Sequence, residues 1–310
     1  MSHALEPSIN AFIDYLHSAR GYSVLTCQTY QRQLNACADV LHQQGLSNWQ
    51  GLTSRAIESL LISWRRNEVG IATINQRLAA LRSFAEFLLR QGVLSSNPAK
   101  LVKAPKAPRR LPKNMDVDGV AHLLDETPTD ALGIRDRAMF ELIYSSGLRV
   151  SELVAVNVSD LNASRELRVT GKGQKTRIVP YGREAERWLN AWLEVRSQWL
   201  VTPSVAAKAS HQGLFISQRG GRLTARSVQL RLRDWAQRRG MPEHVHPHKL
   251  RHSFASHVLE SSGDLRAVQE LLGHANLSTT QVYTHLDFQH LAKVYDTAHP
   301  RARKNRKPEK

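Results

Sequence analysis

The chain has 310 residues, with 43 lysines and arginines against 27 aspartates and glutamates, a formal charge of +16. Its length allows two domains with a core each, and its 41% hydrophobic content excludes a disordered chain. No apolar run is long enough to span a bilayer and residues 1–20 do not read as a signal peptide, so the expected compartment is the cytoplasm, in association with the nucleoid. Charge of this sign and size draws polyanions, nucleic acid above all, through counterion release.

Ile9, Phe12, Ile13 and Leu16 recur at helical spacing and predict a first helix. A second runs from a Ser23 cap through Tyr30, Leu34, Cys37 and Leu41 to Gly45. Cys27 and Cys37 share that helix, too far apart for a disulfide and in no zinc spacing, which leaves them as core thiols. A third helix starts at Thr53 and carries Ile57, Leu60, Leu61 and Trp64. A fourth starts near Thr73, carries Ile74, Leu78, Leu81, Ala85 and Leu88, and ends before Gly92. Four amphipathic helices with short connections predict a helical bundle over residues 1–98. Arg32, Arg77 and Arg82, with Arg65 and Arg66, stand on its polar faces, where they suit phosphate contacts.

Residues 99–113 combine three prolines with several basic residues and read as an extended, semi-rigid linker. Lys103 and Lys106 in it are further candidates for the DNA backbone. A basic linker between two basic domains suits a C-shaped clamp that closes around a duplex. The second domain, 114–298, opens with helices near Asp116 and from Ala131 to Ser146, stopped by Gly147. A short third helix follows through Leu153. Two β-rich runs from Leu167 to Pro180 flank Gly-Lys-Gly and predict a hairpin. Helices follow at Arg183–Val195, Thr224–Arg239, His248–Glu260 and Asp264–Leu272, with a last one from about Phe288. Residues 299–310 read as a basic tail. The fold class is mainly α with one small β-hairpin in the C-terminal domain (α+β).

Six residues in that domain stand in distinctive settings: Arg149, Lys172, His248, Arg251, His274 and Tyr283. His248 and Arg251, three apart, share a helix face. Two guanidiniums, imidazoles, an ammonium and a phenol are the groups needed to bind a phosphodiester, neutralise its oxygens and attack it. Singly, each has an ordinary explanation as a capping, loop or core residue; jointly and in this order they do not.

Gly147-Leu-Arg149-x-x-Glu152, Gly171-Lys172-Gly173, His248-x-x-Arg251, Leu272-Gly273-His274 and Thr280-x-x-Tyr283 resemble the motifs of the tyrosine site-specific recombinase (phage integrase) family. The resemblance covers nearly the whole chain. Within the family, Glu260–Arg266 and the ending from Asp287 to Ala302 are most similar to the branch that resolves bacterial chromosome dimers at cell division. The resemblance implies Tyr283 as nucleophile, forming a 3′-phosphotyrosine. It implies Arg149 and Arg251 on the phosphate oxygens, His248 and His274 as proton and hydrogen-bond partners, and Lys172 as acid to the leaving 5′-oxygen. Glu152 is expected to support the site from behind. No ATP, metal or other cofactor is implied, since the covalent link conserves the phosphodiester energy. The implied partners are double-stranded DNA with a specific site, a second, related recombinase in a heterotetramer of two copies each, and a septal DNA translocase as activator. The segment from Phe288, with Leu291 and Tyr295, would pack on a neighbouring subunit or on its own.

Competing readings are a zinc nuclease built on His244, His246, His248, His252 and His257, a non-enzymatic DNA-binding protein, another DNA integrase, and a type IB topoisomerase. The histidines lack a carboxylate at ligand spacing. An architectural protein leaves the Arg/His/Tyr set idle. A topoisomerase would relax supercoils without paired sites.

Overall fold

The computed structural model describes residues 4–106, 114–171, 175–200, 212–242, 244–273 and 300. The chain divides into two units, Met1–Leu111 and Pro112–Lys310.

The first unit is built on α1 (Glu6–Ser18), α2 (Val24–Gln43), α3 (Ser54–Arg66) and α4 (Ile71–Arg90). Each buries the apolar stripe its sequence carries: Ile9, Phe12 and Leu16; Leu34, Cys37 and Leu41; Ile57, Leu60 and Trp64; Ile74, Leu78, Leu81, Phe84 and Leu88. Ser23 and Thr53 cap α2 and α3 by accepting from the amides of Thr26 and Ala56. Helix α4 begins at Ile71, two residues before the expected Thr73, behind Gly70 with no side-chain cap. Phe84 packs on Phe12 and Trp49, ring centroids 5.4 and 4.8 Å away, and the Trp49 indole N–H donates to Leu5 O.

The bundle runs further than the sequence suggests. Residues expected to start the linker pack on α4: Ala99 and Val102 are buried, and Asn97 and Arg82 tie this stretch down. Proline content signalled an extended chain but not the small apolar side chains, spaced three apart, that bind it to the bundle.

The second unit contains α5 (Val117–Leu124), α6 (Ala131–Ser146), α7 (Val150–Ala155), the antiparallel pair β1 (Glu166–Thr170) and β2 (Thr176–Pro180), α8 (Arg183–Arg196), α9 (Ala225–Arg238), α10 (Pro247–Ser262) and α11 (Leu265–Leu272). Asp116, Asp130, Thr224 and Asp264 cap α5, α6, α9 and α11. Helix α6 packs against both α8 and α10 and is buried almost throughout. Its charged residues are therefore paired inside. Asp136 takes both Arg135 and Arg231, and Arg137 pairs with Glu141. Among the described residues no helix is long and apolar enough to cross a membrane.

Two details place the site. Gly147 ends α6 in the left-handed conformation (φ +62°), and a Cβ there would lie 2.5 Å from the Phe254 ring of α10. Only glycine lets α10 approach so closely. Helix α7, six residues long, is held at its far end by Arg222, whose Nη1 donates to the carbonyls of Val154, Ala155 and Val156 at 3.1 Å each.

Candidate active site

Three elements, α7, β2 and α10, meet around one carboxylate. Glu152, in the first turn of α7, is 4% exposed and accepts four hydrogen bonds. Two come from Arg149: its backbone N–H to Oε2 (2.8 Å) and its Nη1 to Oε1 (2.9 Å). Arginine offers no acceptor for capping a helix, so Glu152 reaches back to the N-cap amide alone, half of a capping box. The other two come from Arg177 on β2, Nη1 to Oε1 (2.8 Å) and Nη2 to Oε2 (3.0 Å). Arg251 of α10 adds its charge, Nη1 lying 3.8 Å from Oε2.

The same arginines share the C-terminus of α11. Arg177 Nε donates to Leu271 O (3.3 Å), Arg251 Nη2 to Leu272 O (2.7 Å) and Arg149 Nη2 to Gly273 O (3.5 Å). Arg251 also donates to Gly147 O, where α6 ends. The negative ends of two helix dipoles and one carboxylate thus hold three cations together.

Burial alone would raise the Glu152 carboxyl; the hydrogen bonds and charge of Arg177, then those of Arg149, outweigh it and hold the group below the usual carboxylate range. Burial and then the Arg149 charge pull Arg251 down to about 10, so it stays protonated at neutral pH. His248, second residue of α10 and exposed, is shifted down by partial burial and then by the charges of Arg251, His252 and Arg149. It is a neutral imidazole at neutral pH, able to accept a proton.

Arg149, Glu152, His248 and Arg251, expected from the sequence, are brought together. Lys172, His274, Tyr283 and the segment from Phe288 lie outside the described residues. The described residues just before the first two, Gly171 and Gly273, both border the cluster: a Cβ at either would lie 3.7 and 3.1 Å from Arg177 Nη1.

Arg177 itself escaped the sequence reading. The available signal was strand phase: with Val179 and Leu167 facing in, Arg177 faces in too, opposite Val169, while Ile178 is turned outward.

The histidines near α10 do not converge. His246 caps the helix, its Nδ1 accepting from Lys249 N, and buried His257 has Nδ1 2.9 Å from Tyr144 Oη. Among the described residues no three His, Cys, Asp or Glu are grouped to hold a metal ion.

On the first unit, Arg32, Lys103 and Lys106 are exposed. Arg77 lies over the Trp64 ring at 5.1 Å. Arg82 turns inward, Nε to Ala99 O (3.0 Å) and Nη2 to Val102 O (2.7 Å), so its fork is used on the bundle's own backbone.

The part of the chain that holds this guanidinium-lined centre and the helical part before it in the sequence both match one family. Residues 113–290 match the model of the phage integrase family, and residues 9–92 match that of the phage integrase N-terminal SAM-like domain. The chain belongs to the phage integrase family, the tyrosine recombinases, enzymes that break and rejoin DNA. It is 51% identical over 304 residues to tyrosine recombinase XerC of Salmonella typhi, spanning 98% of this chain and 99% of the relative. It is 49% identical over 305 residues to XerC of Vibrio cholerae serotype O1, spanning 98% and 96%. Its fold is similar to XerH bound to a palindromic difH substrate in a post-cleavage complex (TM-score 0.68, 22% identity, 90% of this chain and 81% of that one). It is also similar to a lambda integrase dimer bound to a COC′ core site (TM-score 0.66, 16% identity, 90% and 99%).

Proposed function

We propose that the chain is a site-specific recombinase of the XerC kind, acting in the cytoplasm on the nucleoid to resolve chromosome dimers together with a XerD-like partner, two copies of each, under the control of a septal DNA translocase. The observation that carries the chemical part is the Arg149–Glu152–Arg251 arrangement. Two guanidiniums are fixed from behind by a carboxylate and by helix carbonyls, the preorganisation that a phosphoryl-transfer transition state requires. The XerC identity over nearly the full length supports the biological part.

In this mechanism the Tyr283 oxygen attacks the scissile phosphorus and its proton passes to His248. The bond from phosphorus to the 5′-oxygen breaks, and Lys172 protonates that oxygen. Arg149, Arg251 and His274 hold the non-bridging oxygens. The 3′-phosphotyrosine keeps the ester energy, and attack by a 5′-hydroxyl of another strand reverses the step without ATP or metal. Arg32, Arg77, Lys103 and Lys106 contact the duplex backbone.

The test is a nicked suicide duplex bearing the chromosomal recombination site of the same genome, with and without the partner recombinase, in chelator. A covalent protein–DNA adduct is expected from the wild type and none from Tyr283→Phe, which binds the duplex as tightly. An adduct from the phenylalanine variant would move the nucleophile elsewhere. Supercoil relaxation without paired sites would favour a topoisomerase.

A further inference from the structure

We infer that Arg177 is a positioning residue for strand cleavage: it locks the β1–β2 hairpin, the Glu152 carboxylate and the C-terminal turn of α11 into one register, so that Arg149 is aimed at the scissile phosphate. The inference rests on the recombinase reading above. Three of the guanidinium's five N–H donors are committed within the protein, to Glu152 Oε1, Glu152 Oε2 and Leu271 O, and the residue is 8% exposed. All three of its nitrogens, Nε, Nη1 and Nη2, donate within the protein, so it serves the protein's own groups rather than the substrate.

What it holds is specific. Two parallel bonds fix the plane of the Glu152 carboxylate, which a single donor would leave free to turn. That plane sets where Arg149 sits, because the remaining two bonds to Glu152 come from the Arg149 backbone and Nη1. At the other edge the Arg177 guanidinium lies where a Cβ on Gly273 would come within 3.1 Å, so that turn is shaped around it. The paired strands β1 and β2 and the turn at Gly273 thus share one anchor, Arg177.

The experiment uses the full chain as wild type, Arg177→Lys, Arg177→Gln and the double variant Arg177→Gln/Glu152→Gln. Covalent-adduct formation on the nicked duplex is measured in single turnover, well below the lowest melting temperature, with duplex affinity measured alongside. Arg177→Gln is expected to lose on the order of 100-fold in cleavage rate, and Arg177→Lys about tenfold, since lysine keeps the charge without the fork. Duplex affinity stays within about threefold, because no phosphate contact is removed.

A pH profile separates positioning from bulk stability. Among the described residues, the charged groups facing Glu152 are Arg149 at the start of α7, Arg177 on β2 and Arg251 on α10, and α11 presents carbonyls. Without Arg177, burial raises the carboxyl, and a protonated Glu152 releases the Arg149 fork. Arg177→Gln is expected to gain an acid limb at higher pH than the wild type, and the double variant to lose it again. A melting temperature that falls while rate and pH profile stay as in the wild type overturns the inference. If Arg177→Gln does not fold, an unchanged rate in Arg177→Lys overturns it equally. If the wild type itself binds the duplex but forms no adduct, the recombinase reading fails and this inference with it.

Discussion

Glu152 is the residue on which the charge of the site turns. It is the only carboxylate among the described residues that Arg149, Arg177 and Arg251 all approach. Removing one partner of a buried ion pair leaves the others uncompensated. Glu152→Ala is expected to destabilise the chain by on the order of 3–5 kcal/mol, read by urea unfolding. His248 gives a second residue-level expectation. Its pKa lies below the ordinary 6.5, so the neutral base persists as pH falls through that value. Single-turnover cleavage should hold down to pH ~6.5 and decline only below it, where the imidazole gains its proton. A decline centred above that value would assign the limb to another group. Lys172 is tested by leaving-group chemistry. An alkoxide leaves poorly, with a conjugate acid near that of water (~15.7), whereas a thiolate leaves unaided, its acid at about 8.5. Lys172→Ala should cleave normal DNA very slowly and recover on a duplex whose bridging 5′-oxygen is sulfur; Arg251→Ala should not recover. Equal defects on both substrates would make Lys172 a binding residue.

At the scale of elements, α6 must both end and make room at Gly147. Gly147→Ala should cost roughly 2–4 kcal/mol, combining left-handed strain with the clash against Phe254. Gly263→Ala is the control, with φ +68° and nothing within 4 Å of its Cβ, and should cost only about 1–2 kcal/mol. Equal losses in thermal unfolding would mean that the Phe254 contact relaxes freely. Such elements were largely legible in the chain. Helices with an apolar stripe and a Ser, Thr or Asp cap fell where periodicity put them, because local propensity and burial agree there. Helix α6 was placed correctly too, since Asp130 and Gly147 mark its ends, but the burial of Arg135, Asp136, Arg137 and Glu141 was not legible. A charged side chain reads as solvent-facing until its partner is known, and Arg231 is 95 residues away from Asp136. For that reason Arg177 is passed over in the sequence and Arg82 reads as a phosphate contact: each finds its acceptors in a segment remote in sequence or in loop carbonyls that carry no pattern. Arg149, Glu152 and Arg251 were found through motif spacing, not through anything periodicity could provide.

For the whole molecule, the positive charge and the two units set the expectation for binding. The affinity of the full chain for a duplex should fall linearly on a log–log plot against salt, with a slope set by the phosphates neutralised. Residues 1–106 and 114–310, made separately, should each bind far more weakly than the intact chain, because the tether gives the second contact a high effective concentration. Equal affinity for the C-terminal piece alone would remove the first unit from duplex recognition.

Among the described residues, three guanidiniums gathered on one carboxylate leave a local excess of positive charge. Any tetrahedral dianion that settles against Arg149 and Arg251 binds the native state and not the unfolded one, and so shifts the folding equilibrium by mass action. Sulfate should therefore raise the melting temperature above its value in chloride at equal ionic strength. Sulfate also stabilises proteins in general by exclusion from their surface, so the readout is the excess over Arg149→Ala in the same buffers. Catalytic readiness and thermal fragility would then have one origin: the protein is least stable when its site is empty of anion and most stable while it holds the bond it is about to break.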